Sequence, residues 1–203
     1  MSRFLPSVSA SRRSLTESTS KHRPKIGFPV NSYFQGPSTP LILAKNQKTF
    51  DALKKMFQTR KIKKSYLAIV YGQLDKKEGV IEKALARSND YKKQTIASEK
   101  TKTTVRSAVT AYKVQKEMAD YSLVEVFPKT GRTHQIRIHL WSIGHPVVGD
   151  TLYKRKNNIA LPEAAKRQLL HAQNLSFKLG SKSFSFEAKM PKDMKDFLTE
   201  LKK

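Results

Sequence analysis

The densest concentration of chemically capable side chains is Lys129-Thr130-Gly131-Arg132-Thr133-His134-Gln135-Ile136-Arg137-Ile138-His139-Leu140. Two arginines, two histidines, a glutamine and two threonines stand on or beside one predicted helix start. Residues three and four apart share a helix face, so His134 and Arg137 project together. The backbone N–H groups of a helix N-terminus favour an anion beside them. A surface helix start that is merely basic would account for part of this run. Its density in Arg, His, Gln and Thr points instead to a cluster that contacts phosphate or base edges.

The elements that must position this cluster follow from patterning. Thr130-Gly131 breaks a strand pattern, and THQIRIHLWSIG resumes at helical spacing, with Ile136, Leu140 and Ile143 on one stripe and Gly144 as the stop. Leu41 to Ala44 reads as a short buried strand. Asn46 offers an N-cap for a helix over about residues 47–59, with Phe50, Leu53, Met56 and Phe57 on its apolar face. Residues 62–71 are rich in β-branched and aromatic residues and close on Gly72, as a strand would. Residues 79–86, 104–115 and 121–127 read as three further strands, with a lysine-rich polar loop over 88–103. A hairpin is predicted around Gly180. A last helix starts at Pro191 and carries Met194, Phe197, Leu198 and Leu201 on one face. The whole is an α+β domain on a mixed, mostly antiparallel sheet with flanking helices.

Composition narrows the partners. Among 203 residues, Lys and Arg number 40 and Asp and Glu 16, a formal net charge of +24. A compact domain with that excess repels itself and is normally found with a polyanion, of which nucleic-acid phosphate is the commonest. A solvated lysine-rich surface explains the lysines but not the shortage of acids. Hydrophobic residues are 38% of the chain and there is no cysteine, which excludes disulfides and thiolate metal sites. No apolar run reaches the roughly 18 residues of a membrane helix. Residues 1–25 are rich in Ser and Arg, with Glu17 as their only acid. They read as a mitochondrial transit peptide, the other reading being a basic tail on RNA with the chain cytoplasmic. Residues 26–38 read as loop. The division expected is a basic tail over 1–37 and one domain over 38–203.

The run TGRTHQIRIHLWSIGHPVVGDTLY, residues 130–153, resembles the signature of the RluA-type pseudouridine synthases. KKSYLAIVYG (63–72) is similar to the family's tyrosine-bearing strand, QLLHAQNLSF (168–177) to its late Leu-His-Ala strand, and LILAKN (41–46) to the end of its first catalytic segment. The resemblance implies isomerisation of uridine in structured RNA, ribosomal RNA above all, by a monomer that needs no metal and no cofactor. The target base would be flipped out of its stack. Tyr66 would stack on it and assist proton removal. Arg137 would pair with the catalytic aspartate and hold it ionised. Leu170 would line the apolar wall of the pocket. Arg132, Thr133, His134 and Gln135 would lie near the RNA backbone. Without the family frame, Tyr66 and Leu170 would read as plain core. Asp150, in the GDTLY turn, reads as structural.

One part of the pattern is missing. The family's Arg-Leu-Asp segment would place its aspartate near Phe34, where the sequence is NSYFQGPST and holds no carboxylate. Residues 1–50 contain no aspartate, and Asp51 falls on the far side of the strand. Two expectations follow. Either the chain is a non-catalytic RNA-binding relative, a ribosome-assembly factor or ribosomal component, or the full gene product supplies the missing segment and is an enzyme.

Overall fold

In the computed structural model the described residues are 42, 44, 46–88, 93–154 and 165–201. The expected tail (1–37), its transit peptide and the loop at 26–38 lie outside them. Helix α1 (Gln47–Gln58) begins at Asn46, whose side-chain oxygen accepts from Thr49 N at 2.9 Å. Strand β1 (Lys63–Tyr71) follows, and Gly72 ends it at φ +76°. After it come β2 (Glu78–Glu82), β3 (Leu85–Arg87), β4 (Gln94–Ile96), β5 (Val109–Glu117) and β6 (Tyr121–Pro128), then helix α2 (Gln135–Ser142). The hairpin β7 (Leu170–Leu179) and β8 (Lys182–Glu187) turns at Gly180, and helix α3 (Lys192–Glu200) closes the chain.

Six strands form one sheet in the order β2-β5-β6-β1-β7-β8, with β3 and β4 in a separate pair. Every pairing between these strands is antiparallel. Alternation along β1 assigns its side chains to two cores. Ala68 and Val70, with Tyr66 beside them, join Val124, Val126, Leu170 and the α2 residues Ile136 and Leu140. Leu67, Ile69 and Tyr71 join Leu169 and the α3 residues Met194 and Phe197 on the opposite face. Helix α1 packs its Leu53 and Met56 on Leu175 and Phe177 of β7, flanked by Phe184 and Phe186 of β8.

Four details depart from the pattern reading. Ile42 and Ala44 are buried against α1, but neither lies in a strand. The run 79–86 splits at Lys83-Ala84, because the Lys83 carbonyl meets His139 Nε2 at 2.9 Å and its Nζ donates to Ser142 O at 2.8 Å. The chain is thereby drawn off the sheet toward α2. The polar stretch 88–103 contains β4, which pairs with β3. Strand β5 starts at Val109 rather than 104, since Arg106 bridges Leu85 instead of joining the main sheet.

Candidate nucleic-acid site

Helix α2 carries the motif and is buried almost all round. Gln135, Ile136, Arg137, Ile138, His139 and Leu140 are all buried. Ile136, Leu140 and Ile143 face the sheet, as their spacing predicted. Ile138 packs instead with Leu85, Ala108 and Tyr153. A helix of eight residues wrapped this way cannot rely on an apolar stripe, so its polar side chains must find partners inside.

They do. Gln135 is 3% exposed, and its amide nitrogen donates to Val109 O (3.0 Å) and Thr110 Oγ1 (2.9 Å). Its amide oxygen accepts from Thr130 Oγ1 (2.7 Å) and Arg132 N (3.0 Å). The side chain is thus spent on locking the Thr130–Arg132 turn to β5, with no group left over for RNA. His139 Nδ1 lies 2.8 Å from Thr110 Oγ1 and its Nε2 meets Lys83 O. Because a carbonyl only accepts, Nε2 carries the proton and the neutral ring completes a chain from Gln135 through Thr110. Burial lowers the His139 pKa.

Arg137 has a partner other than the one the resemblance implied. Its Nε and Nη2 donate to Asp150 Oδ2 and Oδ1, both at 2.6 Å. The Asp150 side chain is fully buried, and Oδ1 also accepts from Leu152 N (2.9 Å) and Tyr153 N (3.0 Å). This forked, charge-assisted pair fixes the Asp150–Tyr153 turn against α2. The Tyr153 ring then covers the guanidinium, 5.2 Å from its carbon. Asp150 is structural, as expected, and the Arg137 charge is paired without a catalytic aspartate. The Nη1 edge of Arg137 makes no hydrogen bond to a described residue.

The exposed edge of the cluster is Arg132, Thr133 and His134. Arg132 donates Nε to Ser107 O (3.2 Å) and keeps both Nη groups clear of that bond. Thr133 is exposed. His134 is half-buried in the left-handed region at φ +56°, with its ring edge-on to Tyr153. Burial and the nearby Arg137 guanidinium lower its pKa, with Asp150 opposing.

Tyr66 stands on the same sheet face as α2, packed beside Ile136, Leu140 and Leu170. Leu170 is 3% exposed, opposite Ala68 on β1, while Ala172 is opposite Tyr66. Burial alone pushes the Tyr66 phenol up to about 12, and no carboxylate contributes. Two residues along β1, the Lys64 ammonium lies where a Cβ on Gly131 would be only 3.6 Å away. The tyrosine strand and the glycine opening the arginine helix therefore meet through Lys64. Asp51 is exposed on α1, bonded to Gln47. Among the described residues no group of three or more His, Asp or Glu is placed to hold a metal ion, and no helix is long and apolar enough to cross a membrane.

A family model described as RNA pseudouridylate synthase matches residues 38–142. The chain belongs to that family. Its relatives place it with the RluA-type members. It is 35% identical over 178 residues to the ribosomal large subunit pseudouridine synthase D of Blochmanniella floridana, covering 80% of this chain and 54% of that protein. It is 38% identical over 141 residues to the dual-specificity RNA pseudouridine synthase RluA of Vibrio cholerae, covering 68% and 54%. This family member thus spans about half the length of the curated relatives it matches. Human RNA Pseudouridylate Synthase Domain Containing 4 shares the fold, with a TM-score of 0.67 at 23% identity over 81% of this chain and 72% of that one.

Two residues of this pseudouridylate synthase fold were missed in the sequence. Tyr153 looked like the end of a turn, yet it joins His134, Arg137 and β4 through one ring. Lys64 was one lysine among many. Its position two before Tyr66, on the same strand face, was the available signal.

Proposed function

We propose that this chain is the core of an RNA-modifying isomerase that converts uridine to pseudouridine in structured RNA, specifically mitochondrial ribosomal RNA. The observation that carries the reading is the juxtaposition of Tyr66 and the arginine helix on one face of the sheet, with Lys64 of the tyrosine strand beside Gly131 ahead of α2. The Arg132 Nη groups and the exposed Lys129 at that rim suit phosphate. In the reaction the bond from the ribose C1′ to the uracil N1 breaks, the freed base turns, and C1′ joins C5. The C5 proton leaves and N1 gains one. A carboxylate nucleophile would assist the first step. With its pKa near 12, Tyr66 is a protonated phenol at neutral pH. It suits stacking and hydrogen-bond donation better than proton removal. Leu170 backs the apolar wall behind it. A carboxylate paired with Arg137 would use its Nη1 edge, which makes no hydrogen bond to a described residue. The Arg- and Ser-rich first 25 residues support mitochondrial delivery.

A second reading, RNA binding without turnover in ribosome assembly, is favoured by the Arg137–Asp150 pair, which is complete without a nucleophile. Deleting the gene and mapping pseudouridine across the ribosomal RNA separates the two. Loss of one or a few sites, restored by the gene but not by its Tyr66→Phe form, supports the enzyme. An unchanged map sinks it. Salt-sensitive ribosomal RNA binding by the chain would then leave the second reading standing.

A further inference from the structure

The Tyr153 hydroxyl decides which nitrogen of His134 is available. It lies 3.2 Å from Gln94 N, 3.2 Å from Gln94 O and 3.2 Å from His134 Nδ1. A phenol has one proton to give and two lone pairs. The Gln94 N–H occupies one lone pair, and the Gln94 carbonyl, which can only accept, takes the proton. With the phenol proton given to the Gln94 carbonyl, the remaining lone pair accepts, which assigns the hydrogen on this side of the ring to His134 Nδ1. In the neutral ring Nε2 is then a bare acceptor, and no described residue donates to it. Protonation of that nitrogen is opposed by burial and by Arg137.

An acceptor of this kind repels phosphate oxygen. It needs a donor, and the donor that recurs beside each phosphate along an RNA strand is the ribose 2′-hydroxyl. The cations that would follow the backbone, Arg132 and Lys129, stand on the same turn. We propose that His134 is a specificity residue that accepts a hydrogen bond at Nε2 from a nucleotide 2′-hydroxyl, and so favours RNA over DNA, rather than a cation that binds phosphate. The proposal rests on the reading that this face binds RNA.

The test uses the full chain and a stem-loop RNA with a uridine-containing loop, read by fluorescence anisotropy. Single 2′-deoxy substitutions are scanned through the loop for the native chain, His134→Phe and His134→Asn. Phe keeps the ring edge on Tyr153, and Asn tolerates the left-handed backbone, so at least one variant stays folded by its thermal melt. One deoxy position should weaken native binding about 3- to 10-fold, a typical hydrogen-bond increment, and should cost nothing in the variants. Their salt dependence should match that of the native chain. Deoxy costs identical in native and variants overturn the proposal, as does a salt slope lower by about one charge in the variants. A loop in which only base changes couple to His134 also overturns it. If the native chain binds no RNA at all, the functional reading itself fails.

Discussion

The two faces of β1 are held by different physics. Toward α3 the layer is apolar, with Leu67, Ile69 and Tyr71 meeting Met194 and Phe197 and Tyr121 edge-on to Phe197 at 5.3 Å, and its polar tie is the half-buried Arg167–Asp193 pair at the start of α3. Toward α2 a comparable apolar layer is overlaid by directional bonds. These are the Arg137–Asp150 fork, the four bonds of Gln135 and the His139 bridge. Hydrophobic contact is non-directional and accepts any residue of about the right volume. A buried polar network accepts one geometry and penalises partial loss. The face that must hold Tyr66 and the arginine helix in register is built in the stricter way.

Deleting a partner on the α2 face should have the largest effect. Asp150→Ala strands Arg137 as a buried, unpaired charge and should cost about 3–5 kcal/mol of unfolding free energy in denaturant titration. A cost under about 1 kcal/mol would show that water reaches the pair and that the two faces do not differ. Conservative swaps come next. Arg137→Lys removes the fork and the planar stack under Tyr153, and should cost about 2 kcal/mol. Met194→Leu on the α3 face conserves volume and should cost less than about 1.5 kcal/mol. The reverse order would break the comparison. The smallest effect concerns acid. His134 and His139 both have lowered pKa values. The unfolded chain therefore takes up protons first as pH falls through about 6.5, and stability declines from there toward the lower folded values. Thermal melts from pH 8 to 5 should show that decline, and His139→Gln should flatten it. Met194→Leu should leave it unchanged.

Much of this was legible in the amino-acid order. Asn46 marked α1, the aromatic and β-branched run marked β1, Gly180 marked the hairpin and Pro191 the start of α3. Each is a local signal whose energetics are settled within a few residues. Where Lys83 and Arg106 leave their strand patterns, the cause is a partner more than 20 residues away: His139 for one, Leu85 for the other. No local pattern encodes such a partner. For the same reason Gln135 looked like an RNA contact and is an internal lock, and Arg137 looked reserved for a catalytic acid and is paired with Asp150.

By itself the sequence determined the family, the basic character, the order of the elements and the short list of chemically capable residues, because periodicity, capping and motif spacing are properties of neighbours along the chain. Only the tertiary structure decided which of those side chains are used up inside and which stay at the rim. That depends on hydrogen-bond accounting across α2, β5, β4 and the Asp150 turn, where a buried donor or acceptor left unmatched costs more than a local preference can supply.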